Sequence, residues 1–425
     1  MSYKERALEV KKYVLEHHSY RANCLNMVCA ENLMSPLARS LLGSDLHHRY
    51  SNVHRMPFYF GNRYFERIEE IAEELGKKLF RSNFIELHPP SGGHACNAVV
   101  LALTKPGDLV FELDPSGGGY STAAHLNQAG AVNLRDMNLP LDEEIMNIDL
   151  EKATELIERE RPALVVLGST LYLFPHPVKE ISKVVESVGG RVVYDGAHVM
   201  GLIAGGCFQD PLREGACALM GSTHKTIPGP QAGLIMSNDP EIADSLHKTS
   251  DFTLLGLNHP DIISVHAVVF AELLQFGKEY ASQIVKNTKA IAKALYDEGL
   301  DVLCPELGFS ESHMTIVDVK RFGSGHEIGK RLEEANIIVT KTALPRDNTP
   351  DLYLGVTSAL RIGTPEATRL GMKKQEMEQI AGLITDVVMR RESPEVVAKK
   401  VAEIKREFST VQYTFEPGNG YRFFE

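Results

Sequence analysis

The chain has 425 residues, of which 43% are hydrophobic and 24% are charged, and it carries a formal net charge of −11 at pH 7. These values are ordinary for a soluble globular protein of two or three domains, and the acidic excess without a basic block argues against nucleic acid as the main partner. Because no apolar stretch approaches the roughly 20 residues of a membrane span, and the charged start of the chain lacks the apolar segment of a signal peptide, we expect a cytoplasmic protein without membrane contact.

The first elements predicted along the chain are helical. Residues 1–30 are predicted to form a helical arm, which leads into an irregular stretch that ends near residue 61. From residue 64 to residue 79, apolar side chains recur at helical spacing with charges between them, and this pattern predicts one amphipathic helix packed on a core. A further helical run over residues 98–104 follows a Ser-Gly-Gly turn and stops before a Pro-Gly pair.

Short apolar runs typical of buried strands then alternate with helical segments. These runs cover residues 109–113, 164–167, 192–194 and 234–236. Such alternation predicts an α/β fold with a mostly parallel sheet and helices on both faces. Beyond about residue 285 the pattern becomes mixed, with strands predicted near 314–319 and 358–362 and long helices at the end. After the arm we therefore predict a large domain over residues 31–285 and a smaller α+β domain over residues 286–425.

A lysine and an aspartate stand in contexts that indicate cofactor chemistry. Lys225 lies within the run 221–226, and Asp195 ends the apolar run that begins at residue 192. A lysine with a lowered pKa can form a Schiff base with a cofactor aldehyde, and a carboxylate facing a pyridine nitrogen makes the ring a better electron sink. The end of a strand is where an α/β sheet places such groups. The pair indicates a pyridoxal phosphate (PLP) site rather than an ordinary surface lysine and a strand-end acid.

A glycine-rich turn offers a place for the cofactor phosphate. Ser91, Gly92 and Gly93 precede a helical run, so that backbone N–H groups, a hydroxyl and the positive end of a helix face one anion. The alternative is a simple helix cap, and the turn matches neither a Walker A loop nor a GxGxxG fingerprint. His224 can donate to the same phosphate or cap a tight turn, and the Pro-Gly-Pro run at 228–230 keeps its loop rigid.

Two further side chains are candidates for binding the substrate. His198, three residues after Asp195, can hydrogen-bond a ring hydroxyl or the substrate carboxylate, with a purely structural histidine as the alternative. Arg361 stands among apolar residues, where a guanidinium is costly to bury unless it is paired. Because its fork matches a carboxylate, we predict that it binds the α-carboxylate of an amino acid, with an internal salt bridge as the alternative.

Cysteine and histidine spacing limits the redox and metal chemistry of the chain. The six cysteines, at positions 24, 29, 96, 207, 217 and 304, show neither a disulfide framework nor a paired CxxC metal pattern. We expect free, mostly buried thiols in a reducing compartment. Since no His/Cys set has metal-ligand spacing, no metal is expected.

Together these motifs resemble the serine hydroxymethyltransferase family of PLP enzymes, most closely its archaeal-like branch, over nearly the whole chain. The resemblance is carried by residues 30–32, 48–50, 91–93, 194–198, 201–204, 221–226, 361–365 and 368–372. It implies a fold-type-I PLP-dependent transferase with a seven-stranded, mostly parallel sheet and a smaller α+β C-terminal domain. It also implies PLP as the cofactor, a small amino-acid substrate, and a homodimer or homotetramer with active sites at the subunit interface.

The resemblance implies individual roles for the candidate residues. Lys225 would be the Schiff-base lysine, Asp195 the partner of the pyridine nitrogen, and Arg361 the clamp on the substrate carboxylate. His198 would contact cofactor and substrate, and Tyr50 would reach the site from a neighbouring subunit. The phosphate would be held by Ser91, Gly92, Gly93 and His224.

The chain departs from the family pattern at five positions around the pocket. Asn52 replaces a catalytic glutamate, Phe60 a tyrosine near the substrate, and Ala30 a serine that contacts the substrate carboxylate. Tyr120 replaces a histidine that stacks on the cofactor ring, and Thr342 falls where an asparagine that helps to bind the pterin is common. An amide cannot shuttle a proton as a carboxyl group can, so we expect poor serine turnover with a folate. Tyr120 keeps an aromatic face for stacking.

Three functional hypotheses follow. The first is hydroxymethyl transfer, or aldol and retro-aldol cleavage of serine or another β-hydroxy amino acid, with the use of a folate or other pterin left open. The second is the same scaffold redirected to β-elimination or to decarboxylation-coupled deamination, because pocket residues set which Cα bond stands perpendicular to the cofactor ring. The third is a PLP-free binding protein, against which the intact Lys225, Asp195 and Arg361 speak.

Overall fold

A computed structural model describes residues 2–50, 59–255, 258–347 and 357–423 of the chain. Within these ranges the α-helices are Tyr3–Ala22 (α1), Pro36–Leu41 (α2), Arg63–Phe80 (α3), Gly92–Leu103 (α4), Thr122–Gln128 (α5), Leu150–Glu160 (α6), Val178–Ser187 (α7), Met200–Ala204 (α8), Pro211–Glu214 (α9), Pro240–His247 (α10), Pro260–Asp297 (α11), Gly325–Glu334 (α12), Pro365–Arg369 (α13), Lys374–Val388 (α14) and Pro394–Glu407 (α15). The strands are Leu25–Asn26 (β1), Phe84–Glu86 (β2), Leu109–Leu113 (β3), Arg135–Leu139 (β4), Leu141–Asp142 (β5), Asn147–Ile148 (β6), Leu164–Gly168 (β7), Arg191–Asp195 (β8), Ala218–Ser222 (β9), Gly233–Ser237 (β10), Asp301–Val302 (β11), Met314–Asp318 (β12), Ile337–Ile338 (β13), Thr340–Thr342 (β14) and Ala359–Gly363 (β15).

The larger sheet has seven strands in the order β2, β10, β9, β8, β7, β3, β4. The five strands from β9 to β4 pair in parallel, while β10 runs antiparallel to both of its neighbours. Successive residues of β8 enter different apolar clusters, with Val192 and Tyr194 in one and Val193 in the other. Both faces are therefore covered, and the predicted α/β fold with a mostly parallel seven-stranded sheet is confirmed.

The four apolar runs that predicted strands correspond to β3, β7, β8 and β10, each extended by at most one residue at an end. The helix predicted from residue 64 is α3, and the turn predicted to open a helix is capped by Ser91 at the start of α4. The edge strand β4 was not predicted, because its sequence is polar and mostly exposed and shows no apolar run.

A smaller antiparallel sheet follows, in the order β11, β12, β15, β14, and its central strands β12 and β15 are those predicted near 314–319 and 358–362. Its apolar cluster includes Leu25 and Met27 from the start of the chain. This happens because β1 pairs in parallel with β13. The predicted arm over residues 1–30 is thus helical only through α1, which buries none of its own residues, and its end is built into the second cluster.

Helix α11 has 38 residues and contributes side chains to both apolar clusters. Of the described residues, it is the one helix long and apolar enough to cross a membrane, but most of its apolar stretch is buried inside the protein, where it packs on α3 and α14. Ile284 belongs to the first apolar cluster and Ile291 to the second. The boundary predicted at residues 285 and 286 lies inside this helix rather than in a loop, and the domain division stays a prediction.

Candidate active site

Lys225 lies just beyond β9, next to the carboxyl end of β8 where Asp195 stands. The two segments approach closely, because a Cβ added to Gly221 would lie 2.6 Å from the backbone nitrogen of Ala197. The Asn32 side-chain amide donates to the Lys225 carbonyl oxygen at 2.7 Å. Contacts to the main chain of this segment thus fix the position of the lysine.

The electrostatics around Lys225 suit a nucleophilic amine. Burial lowers the pKa of Lys225, Asp195 opposes that shift, and Arg361 adds to it. Burial raises the pKa of the Asp195 carboxyl, against the influence of Lys225, the Ala197 amide at 2.9 Å and the Cys96 thiol at 3.5 Å. A lysine with a lowered pKa keeps a larger share of the neutral amine that attacks an aldehyde.

The start of α4 has the properties of an anion site. The Ser91 hydroxyl oxygen accepts from the His94 amide at 3.1 Å and so caps the helix. The amides of Gly92 and Gly93 have no acceptor among the described residues, and they point along the positive end of the helix dipole. A Cβ added to Gly92 would lie 2.1 Å from the hydroxyl oxygen of Ser222, so the helix start is packed directly on the end of β9.

His224 lies next to the lysine with one ring nitrogen unused. Its Nδ1 is buried and has no partner in the part of the chain that the structure describes. Burial, and then the charge of Lys225, lower the pKa of His224 to about 4, which keeps the ring neutral. With a free amine, a carboxylate and an anion-binding helix start nearby, these residues fit a cofactor that has an aldehyde, a ring nitrogen and a phosphate, as PLP has.

His198 is buried and paired with a second histidine. Its ring stacks on that of His313, with centroids 5.4 Å apart and planes at 27°, and its Nδ1 lies 3.3 Å from the His313 Nε2. Burial, Lys225 and Arg361 hold the pKa of His198 well below its usual value, and the pKa of His313 is lowered to about 3 by burial and the same two cations. Because both rings are neutral, one nitrogen of the contact donates and the other accepts.

Arg361 lies on β15, between Ile316 and Thr340 on the neighbouring strands. Its Nη1 donates to the carbonyl oxygen of Thr170, and its Nε is buried without a partner. Among the described residues no aspartate or glutamate forms an ion pair with it. The internal salt bridge considered as an alternative is therefore not found there, and the guanidinium keeps donors for a carboxylate ligand.

Two of the remaining predicted residues, Tyr50 and Phe60, are exposed. Tyr50 is 54% exposed, with its ring 5.2 Å from that of Tyr59, and Phe60 is 94% exposed. Ala30 is half-buried just after Cys29, which packs on Gly363 at the end of the Arg361 strand. Asn52 lies outside the described residues.

Tyr120 and Thr342 are the other two departures from the family pattern. Tyr120 is 47% exposed, and its hydroxyl points to the first turn of α4, near Gly93. Its ring meets that of His125 edge-on at 5.7 Å. Thr342 is buried on β14. The predicted stacking of Tyr120 on the cofactor ring stays a prediction.

Three residues of the site were missed by sequence reasoning. Cys96 and Thr170 act through a thiol and a backbone carbonyl that carry no motif, and His313 is a single histidine before a strand. A search for histidines preceding predicted strands of the second domain would have been needed to select His313. All six cysteines are free, and within the described ranges no group of three or more His, Cys, Asp or Glu residues is arranged to hold a metal.

Comparisons with known proteins agree with this geometry. Residues 4–384 match the family profile described as serine hydroxymethyltransferase. The chain is 44% identical over 412 residues to a serine hydroxymethyltransferase of Methanopyrus kandleri, covering 97% of this chain and 96% of that protein. It is 42% identical over 427 residues to one of Korarchaeum cryptofilum, covering 97% and 98%. A solved structure of L-threonine transaldolase from Pseudomonas fluorescens, in its internal aldimine state, superimposes with a TM-score of 0.88 at 28% identity, covering 97% of this chain and 95% of that one.

Proposed function

Because the chain belongs to the serine hydroxymethyltransferase family, we propose that it makes or breaks the Cα–Cβ bond of a β-hydroxy amino acid. The protein is a PLP-dependent enzyme of fold type I that acts on small amino acids. One observation carries the proposal: the segments of Lys225 and Asp195 are in direct contact at Gly221 and Ala197, and the buried Nε of Arg361 has no partner among the described residues.

Each of these residues has a separate task in the proposed reaction. Bound PLP supplies a ring that withdraws electrons from the substrate Cα. Arg361 binds the α-carboxylate and so sets which Cα bond is perpendicular to that ring. Asp195 holds a proton on the ring nitrogen, and Lys225 supplies the amine that anchors the cofactor and can return a proton.

The choice of acceptor is the second part of the proposal. The catalytic glutamate of the family pattern is replaced by Asn52, whose amide does not ionise and so cannot shuttle a proton in one-carbon transfer to a folate. A solved neighbour named L-threonine transaldolase favours an aldehyde as the acceptor. We therefore favour retro-aldol or transaldol chemistry on a bulkier β-hydroxy amino acid over hydroxymethyl transfer from serine to a folate.

The test is a substrate panel on the PLP-loaded protein. Serine is offered with and without tetrahydrofolate, and threonine with and without an added aldehyde, while glycine, aldehydes and new amino acids are quantified by mass spectrometry. We expect products from threonine and almost none from serine. Asn52→Glu should raise serine turnover by about 100-fold or more, the range of a restored acid–base group.

Other outcomes would contradict the proposal in distinguishable ways. Serine turnover with tetrahydrofolate that exceeds threonine turnover would show that Asn52 does not block the folate reaction. Release of ammonia or carbon dioxide without glycine would point to β-elimination or decarboxylation-coupled deamination. A protein that shows no visible aldimine band after PLP has been added and the unbound PLP removed would be a PLP-free binding protein.

We also propose a homodimer or homotetramer in which Tyr50 enters the site of a neighbouring subunit. Support comes from surfaces that a single chain leaves uncovered: the exposed Tyr50 and Phe60, and α1, which buries none of its residues. Light scattering after size exclusion measures the assembly. Mixing Lys225→Ala with Tyr50→Phe protein should restore about a quarter of full activity if the two residues act across subunits. If they act within one chain, mixing restores none.

A further inference from the structure

Gly93 and the Tyr120 hydroxyl occupy neighbouring positions at the start of α4. A Cβ added to Gly93 would lie 2.8 Å from that hydroxyl oxygen, and the next atoms are the Tyr120 Cζ at 3.7 Å and the Ser91 hydroxyl oxygen at 3.9 Å. A distance of 2.8 Å is shorter than real Cβ contacts, so any side chain at position 93 would push the phenol away. The tip of Tyr120, rather than its ring face, thus approaches the helix start.

The turn before Tyr120 holds it in this place. Gly118 has a φ of +90°, which only glycine adopts without strain, and a Cβ on Gly119 would lie 1.7 Å from the carbonyl oxygen of Leu113. The Gly118 carbonyl oxygen accepts from the Thr170 amide at 2.7 Å. The turn is therefore folded tightly against the end of β3.

Among the described residues, the groups at the start of α4 next to the hydroxyl favour an anion. The amides of Gly92 and Gly93 lack acceptors among the described residues, and the helix end adds a positive dipole. The Ser91 oxygen already accepts from a backbone amide, which leaves its O–H to donate. A phenol is a donor of the same kind, and hydrogen bonds to a charged acceptor are stronger than neutral ones.

We propose that the Tyr120 hydroxyl binds the phosphate of PLP directly, and that Gly93 is a glycine in order to admit it. This role differs from stacking on the cofactor ring, which uses the aromatic face and needs no hydroxyl. The two roles make different demands: phosphate binding is lost with the oxygen alone, whereas stacking is lost only with the ring.

The test compares PLP with pyridoxal, which has the same ring and no phosphate. Tyr120→Phe keeps the ring and removes the oxygen, so we expect the dissociation constant of PLP to rise about tenfold and that of pyridoxal to stay the same. Both constants are measured by equilibrium dialysis, which needs no catalytic activity. Tyr296→Phe is the matched control, since Tyr296 is also 47% exposed and lies at the end of α11, and it should change neither constant.

A second variant tests the Gly93 part of the proposal. Gly93→Ser alone should weaken PLP binding, because its Cβ displaces the phenol. In the Tyr120→Phe background the same serine has room, and its hydroxyl should recover much of the lost affinity for PLP. Unchanged PLP affinity in Tyr120→Phe would overturn the proposal, and so would an equal loss for PLP and pyridoxal. Neither result would affect the PLP dependence of the enzyme, because binding would still be measured.

Discussion

The inner wall and the rim of the site are built in different ways. Lys225, Asp195 and Arg361 stand on or beside strands that belong to the apolar cores, and each is held by neighbours from its own chain. Tyr50 and Phe60, which we propose to form the rim of the site, are 54% and 94% exposed. In this proposal the groups that hold the cofactor come from one chain, while the rim that selects the substrate is completed by a neighbouring subunit. Cofactor binding and substrate choice could then change independently.

The largest effect is expected from removing the anchor of the inner wall. Lys225→Ala should lower turnover by at least ~1,000-fold, because it removes the amine that would form the Schiff base with the cofactor aldehyde. Lys179→Ala, on an exposed helix position, is the control and should keep full activity. The measurement is product formation at saturating PLP. Activity within tenfold of the unchanged protein would show that the inner wall does not depend on Lys225.

The next largest effect is expected at a buried ion pair. Arg369 and Glu272 form an ion pair at 3.1 Å with side chains only 1% exposed. Arg369→Met should lower the free energy of unfolding by about 3–5 kcal/mol, since it leaves a buried carboxylate unpaired. Arg369→Met with Glu272→Leu should recover part of that loss. Urea unfolding measures both, and a double variant no more stable than the single one would contradict the account.

Acid should destabilise the folded protein through a buried histidine that stays neutral. Burial lowers the pKa of His176 to about 3, so the unfolded chain takes up a proton near pH 6.5 that the folded chain refuses. Stability is therefore complete above pH 6.5 and falls below it, by about 2 kcal/mol for this group between pH 7.5 and pH 5. His176→Phe should show that much less dependence on pH in urea unfolding. A pH dependence that is unchanged in His176→Phe would contradict this expectation.

An effect of similar size and opposite sign is expected beneath the Tyr120 turn. Burial raises the pKa of Glu112 on β3 to about 7, and one of its oxygens has no partner within the described residues. The folded state therefore binds a proton that the unfolded state releases, and stability is lost as pH rises from about 4.5 through 7. Glu112→Gln should therefore stabilise the protein by about 2.5 kcal/mol more at pH 8 than at pH 5. Equal effects at both pH values would refute this.

A substitution of Phe60 should change the choice of substrate and leave the stability of the protein nearly unchanged. Phe60→Ser should change the free energy of unfolding of the protomer by less than about 0.5 kcal/mol, because the side chain is exposed. It should alter the ratio of kcat/KM between threonine and smaller substrates, because Phe60 stands where the family pattern has a tyrosine near the substrate. A large stability loss with unchanged substrate ratios would mean that the rim is structural and would weaken the comparison.

The strands with continuous apolar runs and the residues in short motifs could be predicted from the sequence. The strands β3, β7, β8 and β10 have apolar runs, Asp195 ends the run of β8, and Lys225 sits in a motif of its own. The cytoplasmic location stays a prediction, as do the subunit arrangement and the individual roles of the site residues.

The rest depends on contacts between distant segments, which single motifs do not encode. His313 meets His198 across 115 positions of sequence, and Arg361 meets the carbonyl of Thr170 across 191. The end of the N-terminal arm enters the second core because β1 finds β13, although two residues give no strand pattern. Such contacts follow from packing of the whole chain.

Helix α11 also determines whether the protein can be divided into separately expressed domains. At 38 residues it extends about 57 Å, and its successive turns are buried first in one core and then in the other. Expressing residues 286–425 alone would divide helix α11 between Ile284 and Ile291. Each fragment would then expose apolar side chains that the intact chain buries. The molecule is therefore a poor source of transplantable modules, and a new specificity has to be engineered into the intact chain.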